Sequence, residues 1–244
     1  MSNVTLLDGT KTFFRGFAFI VARPSVWPYA AVPMVAACIL TIALAVLGIW
    51  GANAALDSLF GVVDTTLANI GYVATQIVVY VVIVGSAVLL AGSLAQPLSG
   101  PALDAIVREQ EKALGRAPSA DPPFFESVTR SINITLVTLA MGVPVFALLF
   151  LVDFVFPPAV VITVPIKLVV SALLASWNLL DYPFSLRRMN FAERRAFYRA
   201  NLRTCLGFGL PVAVMALVPL IGLLMLPVGV AGATRLVVET EKPA

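Results

Sequence analysis

Histidine is absent from the 244 residues, and cysteine occurs only twice, at Cys38 and Cys205. Without an imidazole the usual general base is missing, and with it the Ser–His and Cys–His nucleophile pairs. The two cysteines form no Cys-x-x-Cys spacing, so neither a zinc site nor a redox pair is expected. No G-x-x-x-x-G-K-[ST] stretch occurs either, so nothing in the chain reads as a loop for ATP. The reading is therefore against an enzyme and against any cofactor. Charge is also scarce: 12% of residues are charged, against roughly 25% in soluble domains. The net charge of +3 comes mostly from one arginine-rich loop, the ordinary mark of cytoplasmic loops in membrane proteins, and it does not suggest nucleic acid as a partner.

Apolar residues make up 60% of the chain, and several runs exceed 18 residues. Such runs predict an all-α integral membrane protein and not a barrel. The first 27 residues mix Phe13, Phe14, Phe17 and Phe19 with Lys11, Arg15 and Arg23, as a helix lying in the membrane interface does. Pro28 to Trp50 is a full span, too long for the core of a secretory signal. Gly51 to Gly71 carries Asp57 and Asp64 but no cation, which places it outside. Tyr72 to Leu94 then brings the chain back. After Gln96-Pro97, proline opens an amphipathic cytoplasmic helix with Leu103, Ile106, Val107, Ala113 and Leu114 on one face. Arg108, Glu109, Glu111 and Lys112 lie on the opposite face, expected to be solvated, and Gly115 ends the helix. Ala117 to Phe124 is a proline-rich linker.

Residues 131–180 form an apolar hairpin turned by Phe156-Pro157-Pro158 and interrupted at Gly142-Val143-Pro144 and Asp153. Whether its limbs cross or insert part-way stays open at this level. Its one cation, Lys167, is either a snorkelling side chain or a charge facing a watery path, hence a candidate pore charge. Asp153 needs no special role. Residues 181–206 are basic, with six arginines at 187, 188, 194, 195, 199 and 203. Asn190 and Glu193 read as a capping box opening a helix from Asn190 to Cys205. Residues 207–236 complete the domain, and Gly207 to Thr234 is free of charge. Six prolines and glycines break it into halves of about 11 to 13 residues turning near Val218 to Gly222, each too short for the roughly 20 residues of a crossing. With Arg203 and Arg235 at its two ends, it predicts a re-entrant hairpin that leaves and returns on one side. Both termini, 97–130 and 181–205 then share the cytoplasm, and every Lys and Arg except Lys167 falls there.

Several stretches resemble the CysZ family of bacterial membrane proteins, associated with sulfate uptake. They are Leu180-Asp181-Tyr182-Pro183-Phe184, Leu206-Gly207-Phe208-Gly209, Val218-Pro219, Met225 to Thr234, Ala95-Gln96-Pro97, and Arg23-Pro24 with Pro33. The resemblance covers nearly the whole chain. It implies two long transmembrane helices and two helical hairpins that penetrate only partly, assembled as a homo-oligomer in the bacterial inner membrane. It also implies passage of a small inorganic anion such as sulfate. The family's turn before the first span carries arginine; here Ser25, Val26, Trp27 and Pro28 stand at those positions. Arg23, Ser25, Val26 and Trp27 are the candidate anion-binding residues, since a helix start offers free amides and a positive dipole end. The alternative is a non-transporting scaffold of the same fold, whose Arg187, Arg188, Arg194, Arg195, Arg199 and Arg203 bind partners or anionic membrane lipid.

Overall fold

Backbone groups in lipid find no partner but one another, so the long apolar runs fold as helices. The computed structural model describes residues 5–60, 66–120 and 122–241. Among these every regular element is a helix. Its helices are α1 (Leu6–Ala22), α2 (Trp27–Phe60), α3 (Thr66–Leu98), α4 (Gly100–Ala113), α5 (Phe124–Val155), α6 (Val160–Leu186), α7 (Phe191–Ala200), α8 (Leu202–Ala216) and α9 (Pro219–Glu241). Single 3₁₀ turns at Pro24–Val26 and Pro157–Ala159 precede α2 and α6. Among the described residues, five segments are long and apolar enough to cross a membrane: Pro24–Leu59, Asn69–Leu98, Phe124–Val155, Pro157–Leu186 and Ile221–Glu241.

The chain divides into two compact units, one built on the segment up to Pro33 and from Pro97 onward, the other on Met34–Gln96. In the smaller unit, polar side chains join α2 and α3. The Tyr80 hydroxyl donates to Asn53 Oδ1 at 2.5 Å and accepts from Gln76 Nε2 at 2.8 Å, while Tyr72 donates to Asp57 at 3.0 Å. Ile39, Ile42, Val46, Leu47, Val78 and Val81 are exposed, as side chains of a helix solvated by lipid are. The segment expected outside, 51–71, is mostly helix: α2 runs on to Phe60 and α3 resumes at Thr66, whereas Asp64 lies outside the described residues.

The larger unit is organised by backbone contact. A Cβ on Gly9 would lie 2.0 Å from the Thr204 carbonyl oxygen, and one on Gly207 would lie 1.9 Å from that of Leu6. Only glycine lets α1 and α8 approach so closely. The Thr10 hydroxyl donates to the Gly207 carbonyl at 2.8 Å across the same seam. One turn pair further on, Gly16 meets α9 at Val228 and Gly232. Phe13 and Phe208 fill the space between with their rings edge to face, 6.3 Å apart. The expected interfacial helix is thus also a core element: Phe13 is buried, while Leu7, Phe14, Phe17 and Val21 remain exposed.

Several boundaries differ from the sequence reading, each for a visible reason. The basic helix does not run from Asn190 to Cys205: Asn201 (φ −117°, ψ 25°) ends α7 and starts α8, with its amide side chain donating to the Phe197 carbonyl and its own carbonyl accepting from Cys205. Its beginning is as expected, since Glu193 N–H donates to Asn190 Oδ1 at 2.9 Å and Asn190 N–H to Glu193 Oε2 at 2.8 Å. Gly142-Val143-Pro144 does not interrupt α5, which passes through Pro144 as membrane helices can. The turn does fall at Phe156 to Ala159. The final charge-free stretch breaks at Leu217-Val218, but α9 continues through Arg235 to Glu241 instead of stopping near Thr234; Lys242 lies outside the described residues. On α4 the charged face is not simply solvated, because Asp104 and Glu111 are buried along with Leu103, Ile106 and Val107.

Candidate anion site

The turn expected to hold an anion is an extended residue followed by one 3₁₀ turn. Arg23 closes α1, and its guanidinium lies 5.1 Å from the centre of the Phe19 ring. Ser25 is exposed and Val26 is buried in the core. The Trp27 indole N–H, a candidate donor, is already used: it donates to the Ile20 carbonyl at 3.0 Å. The Val26 amide donates to the Arg23 carbonyl and the Trp27 amide to that of Pro24. Arg23 and Ser25 are therefore the groups of this turn left for a ligand.

Lys167 has a partner the sequence reading did not assign. Its ammonium pairs with Asp153 across the α5–α6 hairpin, and Asp153 also accepts from the Thr163 hydroxyl. The same ammonium sits 3.9 Å from the centre of the Phe150 ring. Asp153, given no role from sequence, is the residue that neutralises it.

The six arginines divide into two groups. Arg187 reaches Glu111 at 3.2 Å and Glu241 at 2.8 Å, and Glu111 further accepts from the Ser119 amide at 2.8 Å. Arg194 pairs with Asp181, donates from Nη2 to the Ser185 hydroxyl at 3.1 Å, and donates from Nε to the Met189 carbonyl at 2.8 Å. By contrast Arg188, Arg195, Arg199 and Arg203 are exposed and form no ion pair among the described residues. Arg188 ends α6 at φ 55°, the left-handed position that usually takes glycine.

A polar centre that sequence reasoning missed lies where α4, α5, α6 and α7 meet. Asp104 of α4, fully buried, accepts from the Ser127 hydroxyl at 2.6 Å and pairs with Arg130 of α5. Burial pushes the Asp104 carboxyl above the ordinary carboxylate range, while Arg130 and Ser127 pull it back down. Next to this pair, Arg130, Asn133, Asp181, Ser185 and Arg194 line a cavity of about 390 Å³, with Trp177 and Phe191 on its wall. The Trp177 indole N–H is buried without a hydrogen-bond partner among the described residues. Two guanidinium groups, an amide and a hydroxyl thus gather on one hollow, opposed by Glu126 and Asp181. Asp181 stood out in the sequence; its partner Arg194, thirteen residues on, becomes visible only when α6 and α7 fold together. Asp104 and Arg130 lay in the segment 97–130 read as cytoplasmic, and neither was given a partner there.

Residues 12–227 match the family described as sulfate transporter CysZ/etoposide-induced protein 2.4. The sulfate transporter CysZ of Pseudomonas aeruginosa is 25% identical over 170 residues, covering 68% of this chain and 67% of its own. The protein of that name from Pseudomonas fluorescens is 27% identical over 151 residues, or 60% of this chain and 58% of its own. These descriptions are of a transporter and not of an enzyme. With the five apolar helices, they make this a multi-pass bacterial membrane protein. With the match extending over most of its length, the chain belongs to the sulfate transporter CysZ/etoposide-induced protein 2.4 family.

Proposed function

We propose that this protein lets a small oxyanion, sulfate or one like it, cross the bacterial inner membrane without ATP. The observation that carries the reading is the cavity lined by Arg130 and Arg194 together with Asn133 and Ser185. Guanidinium groups match the oxygens of a tetrahedral anion with paired donors, and such charge-assisted bonds are about twice as strong as neutral ones. At rest Arg194 is held by Asp181 and Arg130 by Asp104. An entering dianion competes with Asp181 for Arg194, so the ion pair closes the cavity and its exchange opens it. Arg23 and Ser25 form a second, weaker contact at the start of α2.

In this scheme the chain is one membrane domain. The helices α2 and α3 cross fully, while α5–α6 and α8–α9 enter as hairpins, the latter re-entrant. Both termini and α7 lie in the cytoplasm, and a homo-oligomer covers part of the apolar surface. Cysteine placed at Ala54 and at Ala192, in a background lacking Cys38 and Cys205, labels from opposite sides if this holds; labelling of both from one side overturns the topology.

Uptake of radiolabelled sulfate and related oxyanions into proteoliposomes tests the function, with empty liposomes alongside. Wild-type protein is expected to exceed empty liposomes, and Arg194→Gln to lose at least tenfold in rate. Uptake at the empty-liposome level for every oxyanion, by protein that elutes as a folded particle, would turn the reading to the scaffold.

A further inference from the structure

A second hollow, also of about 390 Å³, runs along the α5–α6 hairpin on the far side of the Trp177–Phe191 wall. Its interior is apolar: Met141 and Val145 from α5, Val170, Leu173 and Leu174 from α6. Its rim on α7 holds Arg195 and Arg199, four residues apart and therefore on one face of the helix. Both arginines are exposed, and neither has a carboxylate partner among the described residues, unlike Arg187 and Arg194 nearby. Tyr198 cannot serve as their counterpart. Its hydroxyl donates to the Leu173 carbonyl at 2.6 Å and lies 2.7 Å from the Ser176 hydroxyl, so it is fixed inward against α6.

We propose that this groove binds one anionic phospholipid, its phosphate held between Arg195 and Arg199 and an acyl chain lying along Val145, Val170 and Leu174. The charge and the apolar wall select together. A soluble phosphate uses the two arginines and gains nothing from the wall; a zwitterionic lipid uses the wall and presents no net charge. Both limbs of the groove belong to helices apolar enough to cross a membrane, so lipid is the solvent that meets it. The volume falls within the roughly 300–1,000 Å³ of small-molecule sites, enough for a chain segment and not for a whole lipid. Arginine suits the role because its planar fork matches phosphate oxygens in pairs.

Native mass spectrometry of the full chain, delipidated in mild detergent and titrated with dioleoyl phosphatidylglycerol or dioleoyl phosphatidylcholine, decides it. Phosphatidylglycerol should be retained at a concentration roughly 25-fold lower than phosphatidylcholine. Each arginine near a membrane surface changes affinity by about fivefold, so Arg195→Gln with Arg199→Gln should bring phosphatidylglycerol down to the phosphatidylcholine level. Val170→Trp, which fills the groove and leaves the arginines, should weaken both lipids. Glycerol 3-phosphate in excess should displace neither. Equal retention of the two lipids, full retention by the double arginine variant, or displacement by glycerol 3-phosphate each overturns the proposal, the last in favour of a soluble anion. A particle whose chain number changes with Val170→Trp would show the groove to be a contact between copies, and would also end it. The readout is binding alone, so failure of sulfate uptake leaves it untouched.

Discussion

Helices α9 and α5 are both apolar enough to cross a membrane, yet 72% of the most apolar window in Ile221–Glu241 is buried within the protein, against 11% in Phe124–Val155. Hydropathy sees the two alike. What separates them is how they are held. Around α9, glycine brings backbone to backbone, and close packing does the work that a hydrophobic driving force cannot do in lipid. Along α5 the outward faces stay exposed; Asp153–Lys167 joins it to α6 near the turn, and at the other end Arg130–Asp104 ties α5 to α4 and Asp181–Arg194 ties α6 to α7. One region is held by shape, the other by a few charges.

Breaking the shape should do the most damage. Gly207→Leu puts a side chain where the Leu6 carbonyl stands, and α1 is expected to detach, with destabilisation of about 3 kcal/mol or more in thermal unfolding in detergent. Gly85→Leu, which meets nothing within 4 Å, should leave the melting point within a degree or two of wild type, on the order of 0.5 kcal/mol. Equal loss in both would show that close backbone approach is not what holds α1 against α8.

Next in size is the loss of one member of a buried pair. Asp104→Ala strands Arg130 and is expected to destabilise by about 3 kcal/mol. Adding Arg130→Met should recover most of it, and an additive double variant would show that the two do not interact. Lys167→Met should cost about 2 kcal/mol by leaving Asp153 unpaired, with recovery in the double variant carrying Asp153→Leu, and with anion flux unchanged. Reduced flux in a stable Lys167→Met protein would restore Lys167 as a charge on the anion path. The smallest effect belongs to Trp27→Arg, which adds a cation but loses the bond to the Ile20 carbonyl. Sulfate affinity should rise by no more than about fivefold and depend more steeply on salt. No change would show that the turn holds no anion.

These contrasts also explain what the sequence could and could not disclose. Local signals were legible: the Asn190–Glu193 capping box, Gly115 at φ 74° ending α4, the proline turn after Phe156 and the break at Leu217-Val218 all follow from residues within a few positions. The candidate site was legible only in fragments. Asp181 and the arginines stood out, but Arg194 pairs with Asp181, Arg130 with Asp104 and Arg187 with Glu111 through folding, so the loop could not be divided into its paired and unpaired members beforehand. Composition likewise gave α4 a wet face, because burial of Asp104 and Glu111 depends on cations contributed from α5 and α6.

The seam between α1 and α8 also places a constraint on how the protein is made. Thr10 and the Gly207 carbonyl it bonds are 197 positions apart. At about 5–20 residues per second, the ribosome takes roughly 10 to 40 s to deliver the second half of this contact after the first has emerged. Through that interval the glycine face of α1 and its Phe13 ring lack the α8 and α9 surfaces that cover them in the folded protein. Helix α1 is made well before α8 and α9 and is placed only when they arrive.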